Sequence, residues 1–328
     1  MPQDKGRNAA TPILVVGSVA LDTISTPQAK GVEVLGGSAS YVSLVSSVFA
    51  PVRIVAVVGE DFPEKHHEVL ACRGIDLTGL SVAPGKTFQW EGVYEADLVG
   101  RRSLRTDLNV FEIFRPVIPD SFRQTPIVFL ANIDPDLQAS VLDQMDKPEW
   151  VVLDTMDFWM NGAKRDSLLR LLGRVHAVLV NDEEAKLLTG LNVIPDAACW
   201  IQDRGPEVVV VKRGDCGALA RIRSTWFWVP PFPEGRVVDP TGAGDSFAAG
   251  FLGSLARWGL DDVGLRRSLL IGGASASYAI ERFGAEALVN LKRSEILSRA
   301  LILREMGSVP YPDEALDGET DIEEMRVR

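Results

Sequence analysis

The most regular feature of the chain is a series of short, almost uninterrupted apolar runs separated by longer segments of mixed polarity. These runs are residues 12–17, 53–59, 126–132, 150–154, 177–181 and 207–212. Such runs are typical of parallel strands that are buried on both faces. A helical segment between residues 60 and 74 follows the second run, so strands and helices alternate. The pattern predicts an α/β fold with a mainly parallel central sheet.

Two further segments alternate between apolar and polar residues. Residues 20–35 contain two short alternations, and residues 87–106 alternate before they become strongly charged. Strands with one polar face are typical of antiparallel sheets that meet water on one side. We expect these segments to form a small β lid at the edge of the main sheet. Residues 79–87 superficially match a P-loop, but the spacing of their glycines is wrong, and they predict a turn.

The ends of the chain differ in composition from the middle. Residues 1–10 are polar, and residues 313–328 are acidic and contain no aromatic side chain. Both segments are predicted to be flexible tails. A length of 328 residues with 46% hydrophobic content suits one large α/β unit with an elaboration, or two domains.

Charge and composition exclude several classes of partner. A net charge of −11 argues against non-specific nucleic-acid binding. No apolar run is long enough to span a membrane, which needs about 18 residues. The N-terminal residues lack an apolar signal core, and the three cysteines are widely spaced. These features favour a cytoplasmic protein that acts on small molecules.

The histidines exclude two classes of enzyme. The chain has three of them, His66, His67 and His176. They show neither the spacing of zinc ligands nor an evident partner nucleophile, which weakens the metalloenzyme and Ser-His hydrolase interpretations. No Gly-x-Gly-x-x-Gly follows the first predicted strand, so a nicotinamide-dependent oxidoreductase is also disfavoured.

One stretch, residues 237–251, combines a glycine-bearing turn with the start of a small, apolar helix. The turn brings the N–H groups of Ala243, Gly244 and Asp245 to a helix N-terminus, where they and the helix dipole favour an anion. A simple helix cap would explain Asp245 alone. It would not require two glycines, a proline and a second carboxylate, Asp239, upstream. Donors for an anion beside a carboxylate are what phosphoryl transfer to a hydroxyl needs.

Polar residues also stand at or just beyond the ends of several predicted strands. They are Asp22, Asn132, Asp154 and Asn181. In an open parallel sheet, ligands bind in the crevice at the carboxyl ends of the strands. Each residue alone could be a turn former, but together they predict a polar binding site along this edge.

Residues 239–247, Asp-Pro-Thr-Gly-Ala-Gly-Asp-Ser-Phe, resemble the C-terminal signature of the PfkB (ribokinase-like) family of carbohydrate and nucleoside kinases. The glycine pair at residues 36–37 matches the N-terminal signature of this family. The resemblance covers roughly residues 12–305, with the motifs in the correct order. It implies a three-layer α/β/α sandwich, a mainly parallel central sheet and a β-strand lid over the substrate.

The resemblance also implies a chemical role for the central stretch. Asp245 would be the general base of an ATP-dependent, Mg²⁺-requiring kinase. Gly242, Ala243 and Gly244 would form the anion hole for the transferred phosphoryl group. The resemblance leaves open a monovalent cation such as K⁺ and a homodimer formed through the lid.

The acceptor site implied by the resemblance lies near the first strands. Its residues are Asp22, Gly36, Gly37, Ser38, Tyr41 and Asn132. Ser38 and Tyr41 depart from the ribokinase version of the motif, which argues against ribose and leaves room for a bulkier acceptor. We expect a sugar or sugar-like acceptor, with an adenosine-like nucleoside as the alternative. A non-catalytic ligand sensor is a further alternative, against which the intact Asp245 argues.

The resemblance implies a nucleotide site as well. Its residues are Asn181, Lys212, Gly214, Gly217, Thr241, Ser277 and Gly284. Asn181 and Glu184 match a family motif that organises Mg²⁺, and Asp239 is a third candidate for the metal; such a sparse set suits Mg²⁺, which retains waters. A helix cap with an acidic first turn also explains the composition of this segment. Lys212 replaces a Thr of the family motif, and it either meets a phosphate or points to solvent.

Overall fold

The computed structural model describes residues 9–98 and 100–307. Within these residues, a nine-stranded sheet lies between two layers of helices. Its strands are β1 (Ile13–Val16), β4 (Val52–Gly59), β5 (Asp76–Ala83), β8 (Ile127–Leu130), β9 (Trp150–Asp154), β10 (Ala177–Asn181), β11 (Val208–Lys212), β12 (Ala218–Ile222) and β13 (Thr225–Val229). A smaller sheet contains β2 (Ala20–Ser25), β3 (Val32–Gly36), β6 (Phe88–Tyr94) and β7 (Arg101–Asp107).

The large sheet is parallel except at one edge. Its strand order is β13-β12-β11-β10-β9-β8-β1-β4-β5, and the two pairs that involve β12 are antiparallel. The central strands β1, β8 and β9 are buried along their whole length, as their apolar sequences predict. Their carboxyl ends lie at the same edge of the sheet, which brings together the polar residues that end or follow these strands.

The helices cover both faces of the large sheet. They are α1 (Ser38–Ser46), α2 (Glu64–Cys72), α3 (Pro135–Asp143), α4 (Ala163–Leu172), α5 (Asp182–Thr189), α6 (Ile194–Gln202), α7 (Ala243–Trp258), α8 (Asp262–Ala279), α9 (Glu286–Val289) and α10 (Arg293–Met306). Neighbouring residues of β1 enter different cores, because side chains alternate across a strand. Ile13 belongs to the core that contains α1, α7 and α8, whereas Leu14 belongs to the core that contains α3 to α6. The predicted three-layer α/β/α architecture is confirmed.

The edge strand β5 was not predicted. The sequence analysis assigned residues 79–87 to a turn, and the structure places residues 79–83 in this strand. That assignment was wrong because β5 pairs only with β4 and is half-exposed along much of its length. An edge strand of this kind lacks the continuous apolar run by which buried strands are recognised.

The small sheet has the order β3-β2-β6-β7. Two antiparallel hairpins, β2–β3 and β6–β7, are joined by the parallel pair β2–β6. Strand β7 is exposed along nearly its whole length, in agreement with the charged end of the second alternating segment. Since β3 ends at Gly36 and α1 begins at Ser38, the small sheet connects directly to the first helix of the large domain.

Most of the predicted tails, namely residues 1–8 and 313–328, lie outside the described residues. Ala10 packs partly against the core, and the N–H of Thr11 donates to the carbonyl of Ala256 at 2.9 Å. In residues 9–98 and 100–307, no helix has the length and apolar character needed to cross a membrane.

Candidate active site

The turn before α7 is fixed by the carboxylate of Asp239. One oxygen accepts the N–H of Thr241 at 2.9 Å, and the other accepts the N–H of Gly284 at 2.8 Å. The residue has no exposed surface, and burial raises its pKa although both hydrogen bonds partly oppose this. Asp239, which the sequence suggested as a metal ligand, therefore has both oxygens engaged by backbone amides.

Gly242 precedes the first residue of α7 and has a left-handed conformation, with φ of 75°. A Cβ at this position would lie 2.2 Å from Cε1 of Tyr41, so a larger residue would collide with the ring. No side chain caps this end of α7. The turn therefore requires glycine both for its backbone conformation and for its close approach to Tyr41.

The first turn of α7 leaves donors open. The N–H of Ala243 donates to the carbonyl of Pro240 at 3.2 Å, so the expectation that this group would be free was wrong. Within the described part of the chain, the N–H groups of Gly244 and Asp245 have no acceptor. Two open donors at a helix N-terminus suit an anion.

Asp245 lies in the same turn and is half-buried. Burial, and then the charge of Asp154, raise the pKa of this carboxyl to about 7, while Lys212 and Arg101 oppose the rise. A carboxyl group with this pKa changes its protonation state near neutral pH and can accept a proton there.

Asp22 is a second buried carboxylate on the acceptor side. It is 6% exposed, and burial followed by the charges of Asp239 and Asp245 raises its pKa to about 7. Its oxygen lies where a side chain of Gly36 would stand, since a Cβ there would be 1.9 Å from Oδ2. Gly37, with φ of 87°, packs equally closely on the carbonyl of Ser18. The glycine pair therefore brings the backbone against Asp22.

The other predicted acceptor residues mainly contact protein. The hydroxyl of Ser38 lies 3.2 Å from that of Ser18, and the Oδ1 of Asn132 accepts the indole N–H of Trp159 at 3.0 Å. Tyr41 is 1% exposed, and its hydroxyl has no hydrogen-bond partner among the described residues. Ser38 and Tyr41 are thus buried, as Asp22 is, and their place in the acceptor site stays a prediction.

Asn181 and Glu184 form a reciprocal cap at the N-terminus of α5. The Oδ1 of Asn181 accepts the N–H of Glu184 at 2.7 Å, and Oε2 of Glu184 accepts the N–H of Asn181 at 2.9 Å. The amide of Asn181 also donates to Oε1 of Glu184 at 2.7 Å. Burial raises the pKa of Glu184 to about 8, although Lys212 opposes this rise. The cap geometry proposed from the sequence is present in the structure.

Lys212 ends β11 and points into the protein. Its ammonium lies 3.1 and 3.3 Å from the two carboxylate oxygens of Asp154. Burial lowers the pKa of Lys212, but the charges of Asp154, Glu184 and Asp245 outweigh burial and raise the pKa above its usual value. Of the two alternatives from the sequence, the solvent-facing orientation is excluded.

The remaining residues suggested for the nucleotide lie in three places. Gly214 and Gly217 bracket the short turn between β11 and β12. The hydroxyl of Ser277 donates to the carbonyl of Ala274 and accepts a hydrogen bond from Arg299. Gly284 packs against Val34 of the small sheet, where a Cβ would lie 2.5 Å from the valine Cβ.

Three residues at the site were missed as site residues. The hydroxyl of Tyr94 lies 3.0 Å from that of Thr241 and joins the small sheet to the turn. Arg101, opposite Tyr94 in the β6–β7 pair, lowers the pKa of both Asp22 and Asp245. For Asp154, the sequence predicted only a polar residue at the end of a strand. The alternation of β6 was a usable signal for Tyr94, whereas the position of Arg101 depends on how the two sheets meet.

The described residues contain no group of three or more His, Cys, Asp or Glu side chains arranged to hold a metal ion. The open donors of α7 and the nearby ammonium of Lys212 instead offer contacts to an anion.

Several known proteins are similar to this chain in sequence or in fold. A cytidine kinase of Thermococcus kodakarensis is 30% identical over 250 residues, which cover 75% of this chain and 88% of that protein. The nucleoside kinase of Methanocaldococcus jannaschii, an archaeal member of the ribokinase family, has a TM-score of 0.74 at 23% identity, covering 90% of this chain and 99% of the other. A fructokinase of Vibrio cholerae, solved with fructose, ADP and calcium ion, has a TM-score of 0.74 at 18% identity, covering 89% and 99%.

The structural likeness establishes a ribokinase-like fold for the two sheets and their helices. A family model described as pfkB family carbohydrate kinase matches residues 11–291, a range that includes the glycine pair, the α5 cap and the turn before α7. The chain therefore belongs to the pfkB family of carbohydrate kinases and is a phosphotransferase.

Proposed function

We propose that this chain transfers the γ-phosphate of ATP to a hydroxyl group of a sugar or sugar-like small molecule. The observation that carries the proposal is the first turn of α7, where two open N–H groups, the Asp245 carboxylate and the Lys212 ammonium converge. N–H donors and a cation suit a phosphate, and a carboxylate beside them suits proton removal from a hydroxyl. The ADP bound to the related fructokinase further supports ATP use.

Asp245 acts as the general base in this proposal. It accepts the proton of the acceptor hydroxyl as that oxygen attacks the γ-phosphorus. Its pKa of about 7 makes it a stronger base than an ordinary aspartate; about half of the groups are ionised at neutral pH, and the ionised fraction rises above it. The N–H groups of Gly244 and Asp245, held by the turn at Gly242, stabilise the charge on the transferred group.

Asp22 orients the acceptor. Its carboxylate has no hydrogen-bond partner in the described part of the chain and can accept hydrogen bonds from two neighbouring hydroxyls. Gly36 keeps the backbone close to these oxygens, and Asn132 lies beyond the neighbouring strand β8. Vicinal hydroxyls are a common feature of sugars, which supports a sugar acceptor.

A nucleoside is the second candidate acceptor, and Trp90 favours it. The Trp90 ring lies over Gly92, where a Cβ would come within 2.1 Å of the ring, and Trp90 pairs with Asp22 in the β2–β6 register. An aromatic ring beside a carboxylate suits a base and the hydroxyls of its sugar. The relative that is 30% identical is a cytidine kinase.

The nucleotide side of the proposal uses the α5 cap and the turns beside it. Asn181 and Glu184 would hold Mg²⁺, which neutralises phosphate charge when bound. Each Glu184 oxygen keeps a second lone pair beyond its bond to Asn181, so contact through a metal-bound water fits the cap. Asp239 supports the turn in this proposal. Lys212, Gly214, Gly217, Thr241, Ser277 and Gly284 would line the nucleotide site.

The proposal extends to the location of the protein, its assembly and a second cation. A cytoplasmic location is supported by three free cysteines in the part of the chain that the structure describes. The exposed strand β7 leaves the small sheet available as a lid and as a homodimer contact. A monovalent cation such as K⁺ is a further candidate cofactor, and a salt series with K⁺ and Na⁺ tests it.

The test is a screen of sugars, polyols and nucleosides for acceptor-dependent ADP release with ATP and Mg²⁺. Asp245→Asn serves as the control for contaminating activity. We expect at least one acceptor to give ADP and a phosphorylated product in equal amounts with the wild-type protein only. ATP binding without turnover on any of the acceptors, at any pH between 6 and 9, would contradict the proposal. This range extends about one unit below and two units above the Asp245 pKa of about 7.

A further inference from the structure

The ammonium of Lys212 occupies an unusual position for a cation. A Cβ at Gly244 would lie 3.2 Å from its Nζ, so the charge lies directly beside the first turn of α7. The N-terminus of a helix carries a partial positive charge, and a cation there is repelled unless anions compensate it. Three carboxylates, those of Asp154, Glu184 and Asp245, supply this compensation.

Asp154 is the carboxylate that contacts Lys212 directly, and it is itself firmly held. The residue is 4% exposed, and its Oδ1 also accepts the N–H of Thr155 at 2.9 Å. Its backbone carbonyl accepts the side-chain amide of Gln138 at 3.0 Å, and the same amide donates to the carbonyl of Ala131 at 2.8 Å. Gln138 thus joins the ends of β8 and β9 and fixes the point from which Asp154 reaches Lys212.

We propose that Asp154 is a positioning residue that holds the Lys212 ammonium beside the N–H groups of Gly244 and Asp245, where together they bind the terminal phosphate of the nucleotide. This inference rests on the proposed kinase function. Within the described residues, Lys212 donates hydrogen bonds only to Asp154. An ammonium has three donors, so it retains capacity for a phosphate oxygen on the side of the turn.

A purely structural salt bridge is the competing explanation. Such a pair would stabilise the ends of β9 and β11 without distinguishing one nucleotide from another. The position of the ammonium beside Gly244 argues against this explanation, because a structural pair would not need to lie next to the open donors of α7. The two explanations differ in what they predict for ligands with and without terminal phosphates.

The first experiment measures the affinities of ATP and AMP by calorimetry. The variants are Asp154→Asn, Lys212→Met and the doubly neutral protein with both changes, which avoids leaving one buried charge unpaired. Asp136→Asn is the matched control, because it removes one partner of the surface residue Lys164, whose Nζ lies 2.6 Å from Asp136. Thermal unfolding of each variant confirms that it is folded.

We expect Lys212→Met to weaken ATP on the order of tenfold, and AMP by less than about twofold, because AMP lacks the phosphate concerned. Asp154→Asn should weaken ATP in the same direction. In the Lys212→Met background it should have no further effect, since Asp154 acts through Lys212. The Asp136→Asn control should leave both affinities unchanged.

A second readout is the pH dependence of kcat/KM for the acceptor. Asp154 raises the pKa of Asp245 and Lys212 lowers it. Asp154→Asn should therefore move the acid limb to lower pH, and Lys212→Met should move it to higher pH. These shifts test the placement of the two charges beside Asp245, and a structural pair at the same place would give them too, so the comparison of ATP with AMP decides between the explanations.

Equal losses for ATP and AMP, or an Asp154→Asn effect that persists undiminished without Lys212, would overturn the inference. Failure of the proposed function looks different, because the wild-type protein itself would then bind no ATP or phosphorylate no acceptor.

Discussion

The N-termini of α5 and α7 both carry acidic residues in their first turn, yet they differ in how they are capped. At α5, Asn181 and Glu184 satisfy each other's backbone N–H groups at 2.7 and 2.9 Å. At α7, Gly242 offers no side chain, and the N–H groups of Gly244 and Asp245 remain open among the described residues. The N–H groups of Asp182 and Glu183 at α5 likewise have no acceptor among the described residues, so the two ends differ in the reciprocal side-chain cap that closes α5 and that the open end of α7 lacks. An acid near a helix start therefore does not by itself indicate function.

The charge of Lys212 acts on carboxyl groups at both helix ends. Its charge lowers the pKa of Glu184 at α5 and of Asp245 at α7. The closed end can thus support the open one without contacting substrate.

The largest effect is expected at the open end. Asp245→Asn should lower turnover on the order of 10²–10⁴-fold, because the amide cannot accept the proton of the attacking hydroxyl. ATP affinity, measured by calorimetry, should change little, since the N–H groups of the turn remain. Turnover within a few-fold of wild type would show that another group takes the proton or that none is needed.

Gly242→Ala tests the turn itself. The new Cβ would collide with the ring of Tyr41, and the alanine would also have to adopt a φ of 75°. We expect a loss of about 1–3 kcal/mol in unfolding free energy from denaturant titration, and at least about a tenfold loss of turnover.

Gly31→Ala is the matched control for this substitution. Gly31 has a φ of 63°, but nothing lies within 4 Å of where its Cβ would stand. It should show only backbone strain of about 1 kcal/mol and retain turnover. Equal effects of the two alanines would mean that contact with Tyr41 is unimportant.

Asp22→Asn tests the acceptor side through pH. The unfolded chain loses this proton near pH 3.8, whereas the folded protein keeps it until about pH 7. The folded state therefore binds more protons between these values, and its unfolding free energy falls as pH rises through the window. An asparagine at this position does not titrate. The unfolding free energy of Asp22→Asn, relative to that of the wild-type protein, should therefore rise by up to about 3 kcal/mol from pH 5 to pH 8.

Denaturant titrations at pH 5 and pH 8 without ligand measure this difference. Asp120→Asn, at an exposed site, is the control and should show no comparable growth. A constant difference between Asp22 and its asparagine variant would mean that the carboxyl ionises freely in the folded protein.

The parts of the fold that the sequence predicted are those in which local pattern and tertiary environment agree. β1, β8 and β9 are buried on both faces, so their sequences are continuously apolar. The half-exposed edge strand β5 lacks such a pattern, and the prediction of a turn over residues 79–87 was therefore wrong for residues 79–83.

The site shows the same division. The turn at Gly242 depends on neighbouring residues of the chain, and the helix that begins after it was predicted correctly. The contact of Lys212 with Asp154 joins residues 58 positions apart, and the link between Tyr94 and Thr241 joins residues 147 apart. Spacing along the chain carries no information on contacts of this kind, because they depend on how the strands and the two sheets assemble.

Glu184 is the residue for which the sequence left open both a metal contact and a helix cap, and Glu184→Gln can separate them. The backbone part of the cap should survive, because the glutamine oxygen can still accept the N–H of Asn181. The bond from the Asn181 side-chain amide is lost, since a glutamine NH2 then faces it, and we expect about 1–2 kcal/mol of lost stability. If Glu184 also acts on Mg²⁺, the loss of its charge should raise the Mg²⁺ concentration for half-maximal rate by a few-fold, on the order of 1 kcal/mol, with little change in acceptor KM. Glu183→Gln, in the same first turn but exposed, should leave the Mg²⁺ titration unchanged. An identical Mg²⁺ titration for both variants would leave the closed end of α5 with a structural role alone.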